Sequence, residues 1–336
     1  MVRKAVLLVA FTVLIYTSCK EPDFLDNYDR QALFAPPTQE ELDAVKTDWQ
    51  SRALLPDGYA VEQETEVNPN GTILKIVSFK VNGYKEYGAL LIPESDQSMP
   101  VHMYLSGFAI DNTEAVINLV QQEGSGDQFI FAVPAFRGQS LSITINGVEY
   151  NSPVSEGIHC EAFDGAADDA IAFLNIIQST EEKANTERVS MRGGSRGGGV
   201  ALLVAGRDKR VKLAIDIAGP TNMLDLTAIN ENDLTYQCQF LDDLVNGSAS
   251  ISDVRQKMIA SSPVFFAADL PKTQLHLAAN DWIVPVSQGE QLKQRMDELG
   301  RTDIFELFIY EGREHSNIAN DNQEMNTRIN AFLEQL

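Results

Sequence analysis

The pentapeptide Gly193-Gly194-Ser195-Arg196-Gly197 lies between two apolar runs, Val189–Met191 before it and Val200–Ala205 after it. A serine in the pattern G-x-S-x-G between a strand and a helix stands on a sharp turn that lifts its hydroxyl clear of the backbone. Glycines around it leave room for the strand and the helix to cross closely. The segment therefore predicts a strand–turn–helix unit with Ser195 as a nucleophile. The alternative is a glycine-rich turn that only packs a helix onto a sheet.

Two later loops offer an acid and a base at the same edge of a sheet. Thr273–Ala279 alternates apolar and polar residues before it turns apolar, which predicts a strand that ends just before Asp281. Ile304–Tyr310 predicts the next strand, and His315 lies in the loop after it. Open parallel sheets build their sites at the carboxyl ends of their strands. We therefore expect Asp281 and His315 to lie beside Ser195.

These three residue types are needed together for nucleophilic catalysis. A serine hydroxyl is a poor nucleophile until a neighbouring imidazole takes its proton. The imidazole in turn needs a buried carboxylate that fixes its tautomer and stabilises the imidazolium. We predict Ser195 as the nucleophile, His315 as the general base and then acid, and Asp281 as the orienting carboxylate.

The other candidates for base and acid fit these roles less well. The chain has four histidines, and His102 and His276 lie inside predicted strands, where packed or paired structural roles are expected. His159 lies in a predicted loop and stays open as an alternative, although it breaks the chain order serine, acid, histidine. Asp303 enters a strand rather than leaving one. The alternative role for Asp281 is that of a turn aspartate that accepts backbone hydrogen bonds.

The developing oxyanion requires hydrogen-bond donors beside the serine. The first is expected from the backbone amide of Arg196, the residue after the nucleophile. The second normally comes from the loop after an early strand, and Leu105–Phe108 has that position. We predict the amide of Phe108 as this donor, with Gly107 as the alternative.

The rest of the chain predicts an α/β fold. Tyr59–Val67, Ile73–Val81 and Tyr87–Ile92 indicate an antiparallel opening. From Val101 onward strands and helices alternate, which favours a mostly parallel sheet with helices on both faces. Thr113–Gln122 is predicted as a helix and Phe136–Ala162 as a long polar loop. Residues 222–262 are predicted as a small helical cap insertion. The apolar and aromatic residues of the insertion either line a substrate pocket or pack it onto the core: Met223, Tyr236, Phe240 and Leu241.

Residues 1–18 have the pattern of a bacterial lipoprotein signal peptide. A basic start is followed by the apolar run Ala5–Tyr16, which is too short to span a bilayer, and by small residues before Cys19. We expect the signal to be removed and Cys19 to be lipidated, which would place the protein in the cell envelope, in the outer membrane facing the periplasm or the cell surface. The alternative is an ordinary secretory signal or a short anchor. Residues 19–50 are predicted as a tether and lead-in, and residues 51–336 as one domain.

Charge and cysteine content limit the remaining function classes. The formal net charge is −22. Nucleic acids and anionic lipids are bound through basic patches, so we expect no nucleic-acid partner and membrane contact only through the N-terminal lipid. Cys160 and Cys238 either pair in an oxidising compartment or stay buried as small hydrophobic residues. The sequence contains no C-x-x-C and no H-E-x-x-H motif, so we expect neither a metal nor another cofactor.

Five motifs together resemble the catalytic domain of prolyl oligopeptidase-type hydrolases, which have the α/β-hydrolase fold: Phe136-Arg137-Gly138, Gly193–Gly198, Ser262-Pro263, Asn280–Pro285 and Glu314-His315. Related carbohydrate esterases and dienelactone-hydrolase-like enzymes look similar. The resemblance spans about residues 85–336. It implies the same Ser195, Asp281 and His315 triad and a structural role for Arg137, which ties down its loop.

The resemblance also separates ester from peptide substrates. The peptidases of this type carry a β-propeller ahead of the catalytic domain that contributes to substrate selection, and 336 residues leave no room for one. We therefore expect a serine hydrolase that cleaves carboxylic esters, such as acylated glycans or other small esters, through an acyl-enzyme. A serine peptidase without the propeller is the first alternative. The second is a surface lipoprotein that keeps the fold and binds a glycan or a partner without catalysis.

Overall fold

The computed structural model describes residues 24–69, 71–109, 114–118 and 128–336. The predicted signal peptide over residues 1–18 and the predicted lipidation site Cys19 lie outside these ranges. The strands described are β1 (Asp57–Glu66), β2 (Ile73–Val81), β3 (Tyr84–Ile92), β4 (Met99–Leu105), β5 (Glu114–Asn118), β6 (Ile130–Ala135), β7 (Ser140–Ile145), β8 (Val148–Asn151), β9 (Ala184–Gly194), β10 (Val211–Ile217), β11 (Lys272–Ala278) and β12 (Phe305–Tyr310).

The helices described are α1 (Arg30–Phe34), α2 (Gln39–Ser51), α3 (Asp164–Thr180), α4 (Arg196–Arg207), α5 (Met223–Ile229), α6 (Leu234–Tyr236), α7 (Asp242–Val245), α8 (Ile251–Ala260), α9 (Ser287–Glu298) and α10 (Gln323–Leu333). A π-helical turn covers Gln237–Leu241, and 3₁₀ turns cover Pro263–Asp269 and Thr302–Ile304. None of these helices is both long enough and apolar enough to cross a membrane.

One large sheet runs in the order β1-β2-β3-β6-β4-β9-β10-β11-β12. Its first four strands in that order pair antiparallel. From β6 to β12 every neighbouring pair is parallel. The predicted mostly parallel sheet with an antiparallel opening is confirmed. Because β4, β9, β11 and β12 run in the same direction, the loops that follow them meet at one edge.

Strand β10 shows that both faces of the sheet are covered. Leu213 and Ile215 belong to a buried cluster with Met325 and Ile329 of α10, whereas Ala214 belongs to the cluster that contains α3 and α4. Successive side chains of a strand point to opposite faces. Helix α10 therefore covers one face and helices α3 and α4 the other, which confirms the prediction of helices on both faces.

Two predictions about the region before α3 are wrong where the chain is described. In place of the helix predicted over Thr113–Gln122, Glu114–Asn118 forms the strand β5, which pairs parallel with β7. In place of a long polar loop over Phe136–Ala162, β7 and β8 form a hairpin. Strands β5, β7 and β8 make a second, three-stranded sheet.

The second sheet forms because of a two-residue hairpin turn and an alternation of apolar and polar residues along β7. Asn146 and Gly147 connect β7 to β8 with positive φ angles of 51° and 79°, as a two-residue hairpin turn requires. Leu141, Ile143 and Ile145 alternate with polar residues and are buried in a cluster with side chains of β2 and β3. The hairpin is therefore stabilised by packing against the antiparallel opening of the large sheet.

From residue 24 onward, the segment predicted as a tether and lead-in packs against the domain. Leu25, Leu33 and Val45 are buried in the main core. Arg255 of α8 forms an ion pair with Glu41 of α2, with 2.7 Å between Nε and Oε1. Helices α1 and α2 thereby hold the C-terminal part of the insertion in place.

The insertion over residues 222–262 is mostly helical, as predicted, and its apolar residues pack inward. Met223, Phe240 and Leu241 are buried in the main core, and Tyr236 packs against it. Of the two roles considered for these residues, packing is therefore the one observed. A disulfide joins Cys160, before α3, to Cys238 in the insertion. It adds a covalent link between the insertion and the body of the domain.

Strand β9 and helix α4 cross so closely that two positions must be glycine. A Cβ atom on Gly193 would lie 2.0 Å from the carbonyl oxygen of Gly197, and a Cβ atom on Gly197 would lie 2.0 Å from the carbonyl oxygen of Leu105. Both obstacles are backbone atoms, so no side-chain rotation relieves them. The crossing therefore fixes β4, β9 and α4 relative to one another.

Gly197→Ala is expected to lower the free energy of unfolding by about 2–4 kcal/mol, because the new methyl group meets backbone that is held by the sheet. Urea unfolding followed by far-UV circular dichroism measures this loss. Gly206→Ala is the matched control in the same helix, since its Cβ atom would lie at an ordinary 3.9 Å from Leu270 Cδ2. It should change stability by less than about 1 kcal/mol, toward a gain. Equal unfolding midpoints for the two variants would show that the close contact of Gly197 with β4 does not constrain the fold.

Candidate active site

Ser195 is the single residue between β9 and α4, and its backbone is held in a rarely used conformation. Its φ is 54° and its ψ is −128°. Residues with a Cβ atom seldom adopt positive φ, and such strain persists only where the surroundings over-determine it. Here the Ser195 N–H donates to the Ile217 carbonyl at 2.8 Å, and the Ser195 carbonyl accepts from the Gly198 N–H at 2.9 Å. The turn thus presents the hydroxyl at the carboxyl edge of the sheet.

The structure brings the three predicted triad side chains together. His315 Nε2 lies 2.9 Å from Ser195 Oγ, and His315 Nδ1 lies 2.7 Å from Asp281 Oδ2. The Asp281 side chain is fully buried and that of His315 is 15% exposed. The acid is therefore shielded from water, while the imidazole and the serine hydroxyl remain accessible to a substrate.

The environment of Asp281 decides the tautomer of His315. Oδ1 of Asp281 accepts the backbone N–H groups of Ile283 and Val284, at 2.9 and 2.8 Å. Oδ2 is then available to accept a proton from His315 Nδ1. An imidazole that donates at Nδ1 has its acceptor lone pair at Nε2, facing the hydroxyl of Ser195. Asp281 is thus both the turn aspartate of the alternative interpretation and the partner of the histidine.

Backbone hydrogen bonds hold the acid loop and the histidine loop together. The Ala279 N–H donates to the Tyr310 carbonyl at 3.0 Å, and the Asn280 N–H donates to the Arg313 carbonyl at 2.9 Å. The guanidinium of Arg313 donates to the Asn320 carbonyl at 2.7 Å and so closes the loop that carries His315. The distance between the acid and the base is therefore set by strand pairing carried past the ends of β11 and β12.

The other three histidines are placed elsewhere. His102 Nδ1 lies 2.8 Å from Ser190 Oγ, and His276 Nδ1 lies 2.9 Å from the hydroxyl of Tyr310. Burial, and secondarily the charge of Arg192, lowers the pKa of both imidazoles to about 3, so they stay neutral. His159, the open alternative, lies with Nε2 at 3.2 Å from the Ala109 carbonyl. The rival acid Asp303 is exposed, in the turn before β12.

The predicted oxyanion donors, the amides of Arg196 and Phe108, belong to two chain segments that approach each other at Ser195. Arg196 is the first residue of α4, where a backbone N–H has no acceptor within the helix. Gly107 passes close to the nucleophile, since a Cβ atom on it would lie 3.8 Å from Ser195 Cβ. The Gly107 carbonyl accepts from Arg196 Nη2 at 2.8 Å. Because the carbonyl and the following N–H of a trans peptide point in opposite directions, the Phe108 amide faces away from that guanidinium.

Sequence reasoning assigned a role to the Arg196 amide and missed its side chain. The guanidinium is buried and donates to the Ser106 carbonyl, the Gly107 carbonyl and the Gln139 side chain, at 3.2, 2.8 and 2.8 Å. It also lies 4.7 Å above the ring of Phe136. Burial lowers the pKa of Arg196 to about 9, with the charge of Asp169 acting in the opposite direction. Arg196 thus positions the loop that carries the second predicted donor.

Arg137, to which the family resemblance gave a structural role, is tied to α3. Its Nη2 lies 2.7 Å from Asp169 Oδ1, and its backbone N–H donates to Asp169 Oδ2 at 2.8 Å. Asp169 is fully buried. The loop after β6 is therefore fixed to α3 through one carboxylate.

The serine and histidine open into a cleft of about 920 Å³. Tyr104 and Arg192 of the sheet line this cleft, as do several residues between 318 and 326. Within the described ranges, no three or more His, Cys, Asp and Glu side chains are grouped so as to hold a metal ion. The chemistry that these residues can perform is proton transfer between the serine and the imidazole, with attack of the serine on a bound carbonyl carbon.

Two family models match the chain. The model of the prolyl oligopeptidase family matches residues 156–336, which include the serine, the acid and the histidine. The model of acetyl xylan esterases matches residues 62–219, which include the serine. No curated protein matches the chain in sequence.

Solved structures of hydrolases share the fold. An acetyl xylan esterase from Thermoanaerobacterium superposes with a TM-score of 0.66 at 14% identity, over 91% of this chain and 98% of its own. An acetyl xylan esterase from Paenibacillus gives a TM-score of 0.61 at 18% identity, with the same coverage of both chains. A puromycin-hydrolysing peptidase of Mycobacterium tuberculosis gives 0.57 at 14% identity, over 79% of this chain and 46% of its own. These likenesses confirm the α/β-hydrolase fold.

Asp281→Asn is expected to slow the reaction of Ser195 with a fluorophosphonate by about 10³–10⁴-fold. Asparagine keeps an oxygen for the amides of Ile283 and Val284 but presents an NH₂ group to His315. The imidazole must then accept at Nδ1, so its Nε2 carries a proton and no longer accepts one from the serine. Labelling rates of the two proteins, measured by intact-protein mass spectrometry, check this.

Asp303→Asn is the matched control, because it makes the same chemical change at the exposed rival acid. Its labelling rate should equal that of the unmodified protein. Equal rates for Asp281→Asn and the unmodified protein would show that Asp281 does not orient the base.

Proposed function

The chain belongs to the prolyl oligopeptidase family, and on that premise we propose that it hydrolyses carboxylic esters through an acyl-enzyme on Ser195. It is a serine hydrolase, and the open question is which carbonyl compound it cleaves. The observation that carries the proposal is the continuous hydrogen-bonded relay from Ser195 Oγ through His315 to a buried Asp281. A non-catalytic surface protein would not need an accessible serine in a strained turn aligned with an imidazole.

The relay dictates the order of proton transfers. Ser195 Oγ forms a bond to the ester carbonyl carbon while His315 Nε2 takes the hydroxyl proton. The carbonyl oxygen becomes an oxyanion, and we propose the backbone amides of Arg196 and Phe108 as the donors that stabilise it. Collapse breaks the bond to the alcohol oxygen, and His315 returns the proton to it. Water, deprotonated by the same nitrogen, then releases the acid and restores the hydroxyl of Ser195.

The likeness to acetyl xylan esterases supports an ester substrate. The two acetyl xylan esterases share the fold over 98% of their own length, with TM-scores of 0.66 and 0.61. The acetyl xylan esterase model also matches the part of the chain that holds the nucleophile. We therefore propose acylated glycans or other small esters as substrates. Peptide cleavage, which the family membership favours, is the second candidate function.

An exposed aromatic ring next to the acid supports a glycan substrate. Trp282 directly follows Asp281 and is 81% exposed. Its neighbour Ile283 is also exposed. Large apolar side chains that stay uncovered beside a site often mark a binding surface. A flat indole suits the C–H face of a sugar ring, so we assign Trp282 to contact with the carbohydrate part of the substrate.

We further propose that the mature protein is anchored in the cell envelope through a lipidated Cys19. The support is the basic start, the short apolar run and the small residues before this cysteine. A lipid anchor would hold the hydrolase at a membrane while the acidic surface of the domain stays in water. Such a location gives access to esters outside the cytoplasm.

A substrate panel tests the proposed reaction. p-Nitrophenyl acetate and acetylated xylan should be hydrolysed, while chromogenic X-Pro and Ala-Ala peptides should not be cleaved at a comparable kcat/KM. Ser195→Ala should lower kcat for the esters by about 10⁴-fold or more, because the nucleophile itself is removed. Ser316→Ala is the matched control, an exposed serine beside His315, and should retain activity. Cleavage of the peptides alone would replace the ester proposal with the peptidase.

Metabolic labelling with an alkyne analogue of palmitate tests the anchor. Expressed with its signal in a bacterium that lipidates exported proteins, the full chain should take up the label and partition into detergent. Cys19→Ser should abolish both, whereas Cys160→Ser should keep the label. A secreted, unlabelled product cleaved at another position would establish the ordinary secretory signal instead.

A further inference from the structure

Arg192 is the one arginine of the described residues whose side chain has no hydrogen bond and no ion pair. Its Nε is buried without a partner. The other described arginines each donate to a carboxylate, a carbonyl or a side-chain amide, as Arg137 does to Asp169 and Arg196 does to Gly107. Leaving a partly buried guanidinium without a partner is unfavourable, because water is removed and nothing replaces it. A ligand that replaces the missing partner would recover that loss.

Arg192 lines the catalytic cleft from β9. It lies on β9, three residues before the nucleophile, with Tyr104 beside it on β4 and Ile215 beside it on β10. Arg192, Tyr104, Ser195 and His315 line the same cleft. At about 3.3 Å per residue along a strand, the Cα atoms of Arg192 and Ser195 are at most about 10 Å apart. One small molecule can therefore touch both residues.

The neighbours of Arg192 do not neutralise it. Burial lowers the pKa of the Arg192 guanidinium, and the hydroxyl of Tyr104 is the group that acts in the opposite direction. His102 and His276 are neutral, because burial and, secondarily, the positive charge of Arg192 lower the pKa of both imidazoles. In a chain with 48 acidic and 26 basic residues, a cation in the cleft with no acidic partner is a local exception to the overall charge.

We infer that Arg192 binds a carboxylate group of the substrate, so that the preferred ester carries a negative charge a short spacer away from the scissile carbonyl. A guanidinium matches a carboxylate with two parallel N–H···O bonds. A single cation in a cleft that Asp321 also lines suits a singly charged carboxylate better than a doubly charged phosphate. The inference rests on the proposed ester hydrolysis at Ser195 and names its substrate class: esters of sugar acids or of dicarboxylic acids.

Paired substrates that differ only in charge test this inference. 4-Acetoxybenzoate and 4-acetoxybenzamide place a carboxylate or a neutral amide on the leaving group. The p-nitrophenyl monoester of glutaric acid and its amide do the same on the acyl group. For at least one pair, kcat/KM should be roughly 10–100-fold higher for the anion, the range expected for a charge-assisted bidentate contact.

Substitutions at Arg192 separate binding of charge from a structural role. Arg192→Met should remove the preference for the anion, because it should lower kcat/KM for the anionic ester much more than for the neutral ester. Arg192→Lys should keep part of the preference, since lysine retains the positive charge but cannot form the two parallel N–H···O bonds. Arg295→Gln, an exposed charge change on α9, should leave the preference intact. An equal loss on charged and neutral esters in Arg192→Met, or no preference in the unmodified protein for either pair, would overturn the inference.

A binding measurement keeps this result separate from the proposed reaction. Calorimetric titration of the Ser195→Ala protein should show tighter binding of the anionic member of one pair, and the difference should vanish when Arg192→Met is added. Fluorophosphonate labelling of Ser195 reports on the reaction itself. Labelling without any anion preference in titration or turnover refutes the carboxylate site alone. An anion preference in titration without labelling supports the site and refutes the proposed hydrolysis.

Discussion

The close crossing of β4, β9 and α4 is the constraint on which the site depends. Glycines at 193 and 197 let backbone meet backbone, and the chain between them turns so sharply that Ser195 takes a positive φ. Gly198 extends the same contact, because a Cβ atom there would lie 2.0 Å from Asp216 Oδ1. Burial raises the pKa of Asp216 to about 8, with the hydrogen bond from the Gly219 N–H acting against it, so this carboxyl packs under α4 largely as a neutral acid. The nucleophile is thus placed by backbone packing and not by the preferences of its own side chain.

The triad could be predicted because each member is marked by local sequence. Ser195, Asp281 and His315 each follow an apolar run with strand-like composition, and parallel strands bring their following loops to one edge. The second sheet was missed for the opposite reason. Glu114–Asn118 finds its strand partner in β7, more than twenty residues away, and tertiary pairing overrode the local helical pattern. Asn146-Gly147 was a hairpin signal within the sequence, but the polar residues around it favoured a loop.

The roles of the arginine side chains could not be read from the sequence. Ion pairs in this fold join residues far apart in the chain, as Arg255 joins Glu41 and Arg52 joins Asp168. Only the folded structure determines which long side chains find a carboxylate. It gives Arg196 carbonyl acceptors at Ser106 and Gly107 and leaves the side chain of Arg192 without any described partner. A charge count shows that acids are in excess, but not where a cation is left unpaired.

These two arginines bear on how an acidic protein could act on the charged esters proposed above. The surface repels anions, but in physiological salt that repulsion decays over about 8 Å. Within the cleft, the charges nearest to the substrate determine whether an anion can bind. The carboxylate of Asp281 is fully buried against the imidazole that it orients. Arg196 adds positive charge beside Ser106 and Gly107, whose carbonyls accept from it, and Arg192 adds positive charge in the cleft, three residues before the nucleophile. Arg192 is therefore the charge that the proposed substrate carboxylate meets inside the cleft, independently of the sign of the surface around it.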